Sequence, residues 1–203
     1  MDFRSAIESA FGARAYAEPL FYSCPHGLRF GLSEGDTSIG RFLAAMRKAT
    51  RICADIFDDE EPITVCLRTT VTPDRCGVRE SLSELRSAGI RIPRLRSLWM
   101  VEEPAHEDEM RSLHVAFEAP ASALQNLLWC ALASDFADIR PCPRCHVYLF
   151  NLKRGVMVFP YDDRGMDVVG PNHDLLGHLY VAHHQDLLEH DRDAMKASFV
   201  HQD

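Results

Sequence analysis

Three aspartates and one arginine fall within six residues, at Asp162, Asp163, Arg164 and Asp167, with Tyr161 ahead of them and Gly165 among them. Carboxylates this dense support three kinds of chemistry. They can build a turn, because Asp accepts backbone N–H bonds, Gly165 can take positive φ, and Arg164 can clamp one carboxylate through two hydrogen bonds. They supply the oxygen ligands that Mg²⁺ accepts, and one of them can serve as a general base. They also make a rigid charged edge to offer a partner. Side chains alternate along a strand, so these carboxylates point different ways, which weighs against the metal site.

Other candidate groups are more scattered. Cys142-x-x-Cys145 resembles half of a zinc site, and Cys24-Pro25-His26 supplies thiolate and imidazole for the other half. The halves lie far apart and Cys-x-His is an unusual spacing, so reduced, unligated thiols are the default. Six of the ten histidines lie between His173 and His201. Asp174 and His178 sit one helical turn apart, while His183 falls on a stripe with Leu176, Leu179 and Leu187 and reads as a core-edge residue. Residues 75–96 carry six arginines, partly offset by Asp74, Glu80 and Glu84, and read as a solvated face. The chain contains no His-Glu-x-x-His, no Gly-x-Ser-x-Gly, no phosphate loop and no Gly-x-Gly-x-x-Gly. The common hydrolases and nucleotide-binding enzymes are thereby excluded.

The elements that must position these groups follow from periodicity. Helical spacing predicts helices over 2–12, from a Thr37 or Ser38 cap to about Phe57, over 78–88, from Pro120 to about Phe136, from Asn172 to about Leu188, and from Asp191 to Phe199. The long second helix should bury Phe42, Met46, Ala49, Cys53 and Ile56. Alternation predicts strands at Leu28–Leu32, Ile63–Arg68, Leu95–Val101, Leu113–Phe117, Val147–Phe150, Val156–Phe159 and Met166–Val169. A five-residue connection at 151–155 should join two of them as a hairpin that delivers the aspartate turn. Short strands joined partly by hairpins, with several helices, predict one α+β domain over residues 1–203, on a largely antiparallel sheet with helices packed on it. Its signature region is 146–199.

Bulk composition narrows the classes further. The 203 residues carry a net charge of −8 and 46% hydrophobic residues. An acidic chain lacks the basic stripe that nucleic acid requires. No apolar run approaches the roughly 20 residues of a membrane helix. Seven cysteines without an export signal indicate a reducing, cytoplasmic setting.

The run from Tyr161 to Asp167 resembles the signature of an uncharacterised bacterial domain-of-unknown-function family, marked by Tyr-Asp-Asp-Arg-Gly-Met/Leu-Asp. The likeness continues through Leu175, Leu176, Leu179-Tyr180, Glu189-His190-Asp191-Arg192 and Met195 to Phe199. Upstream it includes Pro19-Leu20-Phe21-Tyr22 and Leu28-Arg29-Phe30, so it covers most of the chain. It departs at Gly31, where the family leads one to expect an acid. The resemblance implies a bacterial cytosolic protein of this architecture and supplies no reaction.

The expected function is therefore a non-catalytic binding protein, most concretely an immunity-type protein that neutralises a bacterial toxin by direct occlusion. Tyr161, Asp162, Asp163, Arg164 and Asp167 are expected at or under the contact surface. The expected partner is a protein, a basic toxin domain, with no nucleic acid, membrane, metal or cofactor assigned. The alternative is a metal-dependent or acid–base enzyme that uses the turn 162–167, with Asp174 or His178 nearby.

Overall fold

The computed structural model describes residues 2–12, 15–17, 19–57, 61–71, 76–102, 111–136 and 138–199, with the backbone alone at 76 and 77. The acidic runs Asp58-Asp59-Glu60-Glu61 and 102–109 lie outside these residues except for Glu61 and Glu102, as do Asp74 and Arg75. The chain runs α1 (Phe3–Phe11), α2 (Leu20–Ser23), β1 (Leu28–Gly31), α3 (Ser38–Ala54), β2 (Ile63–Val71), α4 (Cys76–Ser87), β3 (Ser97–Glu102) and β4 (Arg111–Ala119). It continues through α5 (Leu124–Leu132), β5 (His146–Asn151), β6 (Val156–Pro160), β7 (Gly165–Val169), α6 (His173–Ala182) and α7 (Arg192–Phe199). The fold is α+β, as expected. Seven strands form one sheet in the order β1-β7-β6-β5-β2-β4-β3, and every pairing is antiparallel.

Alternation along the strands divides the side chains between two unequal cores. Leu28, Phe30, Val65, Phe117, Leu149, Val158, Met166 and Val168 point to the major face. There they meet Phe42, Ala45, Ala49 and Ile52 of α3, Leu127, Leu128 and Ala131 of α5, and Leu176 and Leu179 of α6. The minor face carries Cys66, Trp99, Tyr148, Phe150, Phe159 and Val169, covered by Phe3 and Ile7 of α1 and by Leu20. Of the two cap candidates foreseen, Thr37 is the cap, its hydroxyl accepting from Gly40 N at 3.0 Å; at the start of α6, Asn172 Oδ1 accepts from Leu175 N at 3.0 Å. Gly155 closes the β5–β6 turn with a left-handed φ of 63°, a conformation that costs glycine nothing.

Three elements differ from expectation. The segment 120–136 is helical in three pieces, with 3₁₀ turns at Ala121–Ala123 and Ala133–Asp135 flanking α5. The four-residue α2 gave no periodic signal, being too short for one. The helix expected to reach Leu188 stops at Ala182, and the chain turns through His184–Asp186 and Glu189–Asp191. It leaves the helix to serve the sheet. Leu188 N donates to Arg29 O at 2.8 Å, and Leu187 bridges Phe30, so the open edge of β1 is satisfied.

Candidate functional site

The candidate site lies on the minor face, where β7 brings Asp167 opposite Arg29 of β1. Both main-chain groups of Arg29 turn outward, the N–H to Met195 Sδ at 3.2 Å and the carbonyl to Leu188 N. Its guanidinium grips Asp167 with two bonds, Nε to Oδ1 at 2.8 Å and Nη2 to Oδ2 at 3.1 Å. Nη1 reaches Asp191 Oδ2 at 3.3 Å. Asp191 is held in turn by the Tyr22 hydroxyl, which donates to Oδ1 at 2.7 Å. The Phe21 amide donates to Asp167 Oδ2 at 3.0 Å. The rings of Phe21, Tyr22 and Tyr161 lie 5.0, 4.9 and 5.6 Å from the guanidinium carbon, within cation–π range.

Segments far apart in sequence, 21–22, 29, 161–167, 191 and 195, thus meet around one buried cation. Asp167 is 1% exposed. Burial pushes its carboxyl above the ordinary range, and the hydrogen bonds from Arg29 and the Phe21 amide restrain the rise. Burial and the nearby Asp167 charge likewise push the Tyr161 phenol up. The cluster sets one cation against two carboxylates and so carries a net negative charge.

The aspartate turn itself is divided in role. Asp162 is the turn builder. Its Oδ1 accepts from Arg164 N at 2.8 Å and Gly165 N at 3.1 Å. Its Oδ2 takes the Arg164 fork, Nε at 2.8 Å together with Nη2. Asp163 points elsewhere, and among the described residues it has only a long ion pair, 4.0 Å to Arg41. Burial, and then the charges of Asp162 and Asp135, raise its pKa, while Arg41 and Arg164 oppose the rise. A carboxyl with a raised folded pKa stabilises the fold when protonated, and that contribution disappears as pH rises through the folded value. Asp163→Asn is therefore expected to leave stability unchanged or raise it at neutral pH. It should also remove the stability gained when pH falls toward the ordinary carboxylate range, about 4. Asp162→Ala, by contrast, should cost about 1–2 kcal/mol, since several donors lose their acceptor. Thermal melts of both variants at two pH values separate these outcomes.

Between α2 and the β6–β7 turn lies an open groove of about 460 Å³. Pro19, Leu20, Phe159 and Tyr161 give it apolar and aromatic walls, Asp162, Asp167 and Arg29 line it, and His146 stands exposed at its rim. The structure brings Tyr161, Asp162 and Asp167 together here. Asp163 is not among the lining residues, and the Arg164 side chain is 74% exposed beside the turn.

Asp174 and His178 are not brought to the site. They are exposed on α6, which packs on the opposite face. His183 is buried and meets Asp55 Oδ2 at 2.7 Å, as a core-edge residue. Cys142 and Cys145 lie in the major core, with Cys142 Sγ donating to Ala133 O at 3.4 Å, whereas Cys24 borders the minor one. Among the described residues, no group of three or more His, Cys, Asp or Glu is placed to hold a metal ion. At Gly31, where an acid was expected, a Cβ would lie 3.5 Å from Leu188 Cδ1, an ordinary contact.

Arg29, the centre of the cluster, was read in the sequence as the polar member of a strand alternation and within the family likeness, with no site role. Two signals were available: its partner Asp167 is a lone acid inside an apolar strand, and the likeness itself includes Phe21, Tyr22, Arg29, Asp167 and Asp191. A family model described as Domain of unknown function (DUF3885) matches residues 3–191. No curated protein and no solved structure matches the chain.

Proposed function

The chain belongs to the DUF3885 family, and from that premise we propose that it is a non-catalytic binding protein. In its most concrete form it is an immunity-type protein of the bacterial cytosol that neutralises a toxin by occluding a basic surface. One observation carries the reading: the carboxylates lining the groove are already engaged, Asp162 by the turn and Asp167 by Arg29. A general base needs a lone pair aimed at substrate, and a hard cation needs several unengaged oxygens. What the groove offers instead is a rigid concave wall of Leu20, Phe159 and Tyr161 over net negative charge. A lysine or arginine of a partner suits it, stem against the rings and charge toward the acids. The total charge of −8 favours encounter with such a partner.

The test is co-expression with a candidate basic toxin domain sought among the neighbouring genes, together with calorimetric titration of the two purified proteins. Growth should be restored and a stoichiometric complex should form. His146→Arg at the groove rim should weaken the complex about tenfold, roughly 1.4 kcal/mol, with little change in melting temperature. Full neutralisation by a variant that no longer binds would sink the occlusion mechanism. Stabilisation of the wild type by Mg²⁺, lost in Asp163→Asn, would replace the binding reading with the enzyme.

A further inference from the structure

On the major face, α4 lies against β2 and the two line a half-open, mostly apolar cavity of about 330 Å³. Leu82 and Leu85 of α4 line it on one side, and Leu67, Leu98 and Leu113 of the sheet on the other. Two of the arginines that give residues 75–96 their charge, Arg86 and Arg96, also line it, and among the described residues no acid does. Arg96 Nη1 donates to the carbonyls of Pro93 at 2.9 Å and Arg94 at 3.4 Å, which fixes its stem and leaves its other N–H groups to a ligand. Arg86 stands exposed in the last turn of α4.

A cavity of this size, mostly apolar with a few placed polar groups, has the make-up of a small-molecule site. An apolar lining of this kind binds apolar groups by removing their surface from water. At roughly 30 Å³ for a water-sized group, this one holds about ten methylenes. A guanidinium presents a planar fork that matches a carboxylate.

We propose that the cavity beneath α4 binds an amphiphilic carboxylate, with its hydrocarbon chain among Leu82, Leu85 and Leu113 and its headgroup at Arg86 and Arg96. The tail supplies affinity through burial, and the arginines select the charged end. This site is on the opposite face from the groove and does not depend on the binding reading above.

The experiment is calorimetric titration of the full chain with decanoate, below its micelle-forming concentration, beside decanol and butyrate. Decanoate should bind at one per chain and raise the melting temperature, as a ligand of the native state must. Butyrate, which lacks the tail, and decanol, which lacks the charge, should each bind at least about tenfold more weakly. Arg86→Gln/Arg96→Gln should reduce decanoate to the affinity of decanol and leave decanol unchanged. Leu82→Trp, which fills the cavity, should abolish binding. Should that variant fail to fold, the arginine pair still decides, because both side chains are on the surface. No decanoate binding, or decanoate affinity unaffected by the arginine pair, overturns the proposal.

Discussion

Replacing Arg29 with methionine is expected to be the most damaging single change in the chain, lowering the free energy of unfolding by about 3–5 kcal/mol. The guanidinium is the only cation hydrogen-bonded to Asp167 and Asp191 among the described residues. Without it both carboxylates stay buried, and ionised carboxylates out of water are costly unless paired. Arg29→Lys should recover only part of the loss, since one ammonium cannot make the two-pronged contact and the third bond together. Arg29→Met/Asp167→Leu should be more stable than Arg29→Met alone, because it removes one stranded charge. The Phe21 amide then remains without its acceptor and Asp191 keeps the Tyr22 hydroxyl but no cation, so it should not reach wild type. Urea unfolding followed by circular dichroism measures all four proteins. A loss below about 1 kcal/mol for Arg29→Met would mean that water reaches the site and solvates the acids.

Gly165→Ala comes second, at about 2–3 kcal/mol. A Cβ at this position would lie 1.9 Å from Tyr161 Oη and 2.4 Å from Cζ. The Tyr161 ring cannot bend, so it must leave its place over Arg29, and overpacking of a filled site costs about 1–3 kcal/mol. The mechanism predicts coupling. In a Tyr161→Ala background the same substitution should cost little, giving an interaction energy of about 2 kcal/mol in the double-mutant cycle. Simple additivity would show instead that strand β7 itself resists the methyl group.

How legible this was depended on distance along the chain. Strands announced themselves through alternation at Leu28, Phe30, Ile63, Val65 and Leu67, and α3 through Phe42, Ala49 and Cys53, because each pattern is local. Asp162 was legible as a turn residue for the same reason: its acceptors serve residues two and three positions on. What could not be read locally was the division of labour between Asp162 and Asp163, which rests on where Arg41 and Asp135 lie in space. Arg29 was hidden more deeply, since its partner is 138 residues away and a polar residue in an alternating strand normally faces water. The overlong helix after Asn172 was a fair reading of the stripe Leu176, Leu179, His183 and Leu187. Leu187 does face the major core, but it does so from an irregular segment whose backbone is needed at the edge of β1.

That segment also decides how the sheet can grow. With Leu187 and Leu188 laid along β1, one end of the sheet is closed to any incoming strand. Beyond β3, no further strand lies among the described residues, and Leu98, Met100 and Val101 are exposed there. Among the described residues, each molecule therefore has a single extendable side. Two copies joined through β3 would present a sealed β1 at both outer ends, with nothing left to pair. Strand addition between native molecules terminates at a pair, and a fibre built by that route would first have to peel residues 187–188 away.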